Sequence, residues 1–98
     1  MKIGEQIRAY REVKGYTTKQ LGLKAHVSQS IISNIENDNV SPTVLTLSKI
    51  LEALDVSLAD FFESAGLSPA IVKLISNSKS LNENQIEKIN ELIEAFKS

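Results

Sequence analysis

Gln29, Ser30, Ser33, Asn34 and Asn37 are the residues whose types and spacing most directly suggest chemistry. At about 100° per residue they fall on one side of a helix, and Ile31, Ile32 and Ile35 fall on the other. The polar side carries no charge and no long apolar group. Its amides and hydroxyls both donate and accept hydrogen bonds. Such a surface suits base edges in a major groove, where Gln or Asn can bond adenine bidentately. The plain alternative is a solvated helix face, but those usually carry Lys and Glu. Catalytic chemistry is not indicated. Ser28, His26 and Asp38 fill caps and turns, and nothing supplies an oxyanion hole. With one histidine and no cysteine, neither a metal site nor a cofactor is expected, and the chain does not read as an enzyme.

Helices must hold that surface. Ile3 to Lys14 reads as a first helix with Ile3, Ile7, Tyr10 and Val13 as its apolar stripe, stopped by Gly15. Thr17 and Gln20 form a capping box that opens a second helix, with Leu21 and Ala25 inward and an end near His26. Ser28 caps a third, from Gln29 to about Asn37. Only His26-Val27-Ser28 separates the second from the third, so the two must cross steeply, as in a helix-turn-helix. Ser41-Pro42 predicts the start of a fourth helix, with Leu47, Ile50, Leu51 and Leu54 buried. Ser57 and Asp60 announce a short fifth, ending in Phe61-Phe62, and Gly66 closes the unit. Beyond it, Ser68-Pro69 starts one helix. Asn82 with Gln85 starts another, running to about Lys97, in which Leu81 can staple against Ile86. The expected fold is all-α: a five-helix unit over 1–66 and a two-helix tail over 67–98. In the tail Ile86, Ile89, Leu92, Ile93 and Phe96 form one apolar stripe.

Charge first argues against nucleic acid. The 98 residues carry a net charge of −1, whereas nucleic-acid binding usually needs a basic surface. The total conceals an asymmetry. Residues 1–35 hold Lys2, Arg8, Arg11, Lys14, Lys19 and Lys24 against Glu5 and Glu12, a net of +4. Residues 36–66 net −5, and residues 67–98 are neutral. The basic third contains the paired short helices. No apolar run approaches the roughly 18 residues of a membrane span, and the start has no signal-peptide apolar region. A soluble cytoplasmic protein is expected.

Residues 1–66 resemble the phage-repressor-like helix-turn-helix (XRE) family. The resemblance lies in Gly15-Tyr16-Thr17-Thr18-Lys19-Gln20-Leu21, Ala25, Val27-Ser28, Ile32-Ser33, Ile35-Glu36, Pro42, Leu47, Leu54-Asp55-Val56-Ser57 and Phe61-Phe62. It implies a five-helix, lambda-repressor-like domain that binds double-stranded operator DNA, generally as a dimer. It also implies that Gln29, Ser30 and Asn34 read bases with Ser33 beside them. Thr18, Lys19, Arg11 and Asn37 would meet the DNA backbone, and Arg11 with Glu36 would form a structural ion pair. Three positions depart from the family. Thr18 replaces a usual Gln and should be too short to brace a recognition-helix Gln. His26 replaces a usual Gly. Gly22 replaces a usual Ala, and either of those two types is small enough at 22 for close helix approach. A homodimeric repressor on a palindromic operator is the expectation, with the tail stripe as dimer seam. The alternatives are the antitoxin of a toxin–antitoxin pair, its tail covering a protein partner, and a protein-interaction module on the same fold.

Overall fold

In the computed structural model, residues 3–64 and 83–95 are described. They form six helices: α1 (Ile3–Lys14), α2 (Thr18–Ala25), α3 (Gln29–Glu36), α4 (Val44–Ala53), α5 (Leu58–Ser64) and α6 (Glu83–Ala95). No strand occurs among the described residues. The expected all-α fold is observed. The tail's first helix, the Asn82 cap, Leu81 and Phe96 lie outside the described residues.

The core joins every helix. Ile7, Leu21, Ile32, Ile35, Leu47, Ile50, Leu51, Leu54, Phe61 and Phe62 are buried together, with Ile89 and Ile93 of α6. Phe61 and Phe62 meet edge to face at 5.3 Å, a favoured arrangement of ring quadrupoles. The stripe expected on α1 ends early: Val13 is 87% exposed. Tyr10 already packs at the core's rim, and one turn later α1 has passed beyond the core.

Four helix ends share one device. Gly15, His26, Asp38 and Asp55 all adopt positive φ, between 58° and 74°. After each, the next amide reaches back to a carbonyl five residues earlier: Tyr16 to Arg11, Val27 to Gly22, Asn39 to Asn34 and Val56 to Leu51. This is the Schellman closure, which satisfies the last carbonyls of a helix and is commonly sealed by an apolar contact. Tyr16, Val27 and Val56 supply that seal by packing on the core.

The helix starts agree with the sequence reading except at α4. Thr17 and Gln20 form the reciprocal capping box. Ser28 Oγ accepts the Ile31 amide, and Ser57 Oγ accepts that of Asp60. For α4 the cap is Thr43, not Ser41. Thr43 Oγ1 accepts the Thr46 amide at 3.2 Å. Pro42 is buried just outside the helix, near Ile3, Ile35 and Ile93.

Of the stripe expected as a dimer seam, Ile86, Ile89, Leu92 and Ile93 are described, and they pack within the chain. Ile89 and Ile93 are buried in the chain's own core, and Ile86 and Leu92 pack against it. Asn90 on the same helix accepts the Val44 amide at 2.7 Å. Apolar side chains on α6 find a partner within the chain, at the start of α4, and that burial satisfies them.

Candidate nucleic-acid interface

The geometry of α3 begins with what holds it. Glu36, at its last turn, is buried, its side chain 1% exposed. Arg11 grips it twice, Nε to Oε2 at 2.7 Å and Nη2 to Oε1 at 2.8 Å. Arg11 Nη1 also donates to the Tyr16 carbonyl at 2.8 Å. One guanidinium thus ties α1, the turn before α2 and the end of α3. The hydrogen bond to Glu36 holds the Arg11 pKa above its ordinary value, against the opposing effect of burial. The expected Arg11–Glu36 pair is present. Because Arg11 is only 14% exposed and points its nitrogens at protein acceptors, it is an internal strut rather than an outward phosphate ligand.

Arg8 was not anticipated. Its Nε donates to Glu36 Oε1 at 3.2 Å and its Nη2 to Asn37 Oδ1 at 2.8 Å. The signal was available, since Arg8 precedes Arg11 by three residues, one helical turn on the same face. Two cations thus converge on one carboxylate at the end of α3.

Close backbone approach sets α3 against its neighbours. A Cβ on Gly4 of α1 would run into the carbonyl oxygens of Ile35 and Glu36. A Cβ on Gly22 would stand 2.8 Å from the Val27 carbonyl oxygen. Alanine at 22 would therefore need the turn to shift, so the two residue types are not equivalent here as the sequence reading supposed.

Gln29, Ser30, Asn34 and Asn37 are exposed, and Ser33 is half-buried between them. Gln29 Nε2 donates to Thr18 Oγ1 at 3.2 Å. Thr18 therefore does brace the recognition-helix glutamine, contrary to the expectation from its length, because Gly22 lets the two helices approach closely. Asn39 was also unforeseen: its Nδ2 donates to Asn34 Oδ1 at 3.4 Å. Lys19 is exposed on α2, and the Lys24 ammonium lies 5.1 Å from the Tyr16 ring centre.

Ile31 is the exception to the expected segregation of α3. It is 41% exposed instead of joining Ile32 and Ile35 in the core. The buried arc is centred on Ile32, Ile35 and Glu36, about 90° around the helix from Ile31. His26 serves as the left-handed cap of α2, the turn role expected of it. Among the described residues no group of three or more His, Asp or Glu could hold a metal. Nor is any described helix long and apolar enough to cross a membrane.

Comparison with known proteins follows the same span. Residues 7–61 match the helix-turn-helix family. The transcriptional regulator SlrR of Bacillus subtilis is 40% identical over 63 residues, covering 63% of this chain and 41% of that protein. The immunity repressor of Bacillus phage phi105 is 34% identical over 59 residues, 60% of this chain and 41% of that one. The antitoxin HipB of Escherichia coli is 32% identical over 56 residues, 57% of this chain and 64% of HipB. The chain thus spans less than two thirds of each of these relatives. No solved structure matches. With the steeply joined α2 and α3, the buried arginine–glutamate strut and a family match across more than half its length, the chain belongs to the helix-turn-helix family, in its phage-repressor-like (XRE) branch.

Proposed function

We propose that this protein is a repressor that binds a palindromic operator as a homodimer, with α3 in the major groove. The observation that carries this is the exposed row Gln29, Ser30 and Asn34, two of whose amides are held by neighbours, Gln29 by Thr18 and Asn34 by Asn39. Held amides present their donors and acceptors in a fixed pattern, which base readout needs. Gln29, Ser30 and Asn34 read base edges, with Ser33 beside them. Thr18, Lys19 and Asn37 meet phosphates, and Arg11 acts by fixing α3 on α1. Two copies would set two recognition helices about 34 Å apart, one turn of duplex. With Ile89 and Ile93 buried in their own chain, the dimer contact falls on another surface. The likeness to the transcriptional regulator SlrR and to the phage immunity repressor supports regulation and repression.

Selection of bound duplexes from a random pool tests this directly, and the spacing of recovered half-sites reports the dimer. Gln29→Ala should weaken binding to the selected operator by about 1–3 kcal/mol while hardly changing affinity for unrelated DNA. Equal losses on both would remove Gln29 from base readout. The likeness to HipB favours a second reading, an antitoxin that represses its own promoter. Co-purification with a small protein encoded next door would support it.

A further inference from the structure

We propose that Ile31 reads a thymine methyl group and so sets part of the operator preference. The inference rests on the DNA-reading function proposed above and names a residue and a chemical group that the polar row does not supply.

Exposed apolar side chains are ordinary when single, and Val13, Leu23, Val40 and Leu45 are exposed as well. Ile31 differs by place. It stands on the first turn of α3, between Ser30 and the buried Ile32, with Gln29 and Asn34 two and three residues away. The core does not use it, because Ile31 belongs neither to the buried cluster nor to the side chains packed on its rim.

Two features make Ile31 a defined reader. Its amide is fixed by Ser28 Oγ at 3.1 Å, which anchors the turn. Its β-branch leaves one strongly preferred χ1 rotamer in a helix, so its methyl groups are presented with little freedom to lose. Around the helix it lies about 60° from Asn34. The major groove is about 12 Å wide, close to the diameter of a helix, so its walls meet more than one row of side chains. On those walls the one apolar group of the bases is the thymine C5-methyl, and adenine on the partner strand offers the donor and acceptor that suit Gln or Asn. Asn34 and Ile31 together therefore fit an A·T pair, the amide taking the adenine edge and Ile31 the methyl, while Gln29 lies about 160° around the helix from Ile31.

Duplexes selected from a random pool by the full chain supply the probe. Each thymine of the tightest duplex is replaced singly by deoxyuridine, which removes only the methyl. At one or more thymines the unaltered chain should lose about three- to fivefold in affinity, the effect of one methyl buried against hydrocarbon. Ile31→Ala should not respond at those same thymines. A response that persists undiminished in Ile31→Ala overturns the inference. So does an unaltered chain indifferent to every deoxyuridine, a result that uses no variant and stands whatever the substitution does to folding. Failure to recover any duplex overturns the DNA-reading function and this inference with it. A recovered operator that fails only the deoxyuridine comparison overturns the inference and leaves that function standing.

Discussion

Glu36 accepts three hydrogen bonds from Arg8 and Arg11 while almost withdrawn from water. The two arginines are unequal partners. Arg11 is largely buried and bidentate, and Arg8 is 44% exposed with one long contact to the carboxylate. Arg11→Met leaves a buried carboxylate with its weaker partner and should cost about 3–5 kcal/mol in urea unfolding. Arg8→Ala should cost less than about 1 kcal/mol. Equal costs would mean that Arg11 is not the strut. The pH behaviour follows from sign. A guanidinium whose folded pKa is raised contributes fully below its unfolded pKa and loses that contribution only as pH climbs through the folded value. The Arg11 guanidinium therefore adds no pH dependence near neutrality. At this scale the sequence was partly legible. The resemblance implied Arg11 with Glu36, yet the Thr18–Gln29 bond ran against the side-chain-length argument. Length says how far an atom can reach, but the separation it must cross is set by Gly22, a tertiary quantity.

The helix ends are where elements are decided. Of the four left-handed closures, Gly15 announces itself by residue type, and His26 stands where the resembled family usually has glycine. Asp38 and Asp55 gave no such sign, although Asp tolerates this backbone better than most residues. A usable signal was the residue after three of the four stops: Tyr16, Val27 and Val56 pack on the core and seal the closure, whereas Asn39 is exposed. His26 offers the cleanest test. A β-branched side chain is poorly accommodated at φ 58°, so His26→Val should destabilise by about 1–3 kcal/mol. His26→Gly should be neutral or mildly stabilising in the same thermal melt. If valine were harmless, the turn would not be held left-handed in solution. The α4 start shows the opposite limit. Ser41-Pro42 is the start that sequence signals favour, yet the observed cap is Thr43, with Pro42 buried before it and the Val44 amide taken by Asn90.

Across the whole chain, charge and core pull in different directions. The +4 of residues 1–35 and the −5 of residues 36–66 give a molecule whose attraction to DNA is local, not global. Arg8 and Arg11 are engaged with Glu36, so exposed Lys19 has more of its charge available to phosphate. Lys19→Ala should weaken all duplexes by a similar factor and lower the salt slope of log K by about 1 per subunit. A loss confined to the operator would instead make Lys19 a base reader. The sequence showed the apolar stripe of the last helix but not its destination. Periodicity tells that a face is buried and is silent on whether the partner is the same chain.

The bond between Asn90 and Val44 gives that destination an observable. Amides in the first turn of a helix have no partner within the helix and ordinarily exchange with solvent quickly. The Val44 amide instead points at a side chain forty-six residues further along, held at 2.7 Å. Its hydrogen exchange therefore reports docking of α6 and little else. It should be slow in the intact chain and should become fast in Asn90→Ala, while the interior amides of α4 stay protected. Fast exchange in the intact chain would mean that α6 does not stay docked. Followed during titration with DNA or a protein partner, this one amide would tell whether binding at the far face of the molecule keeps the last helix in place or lifts it away.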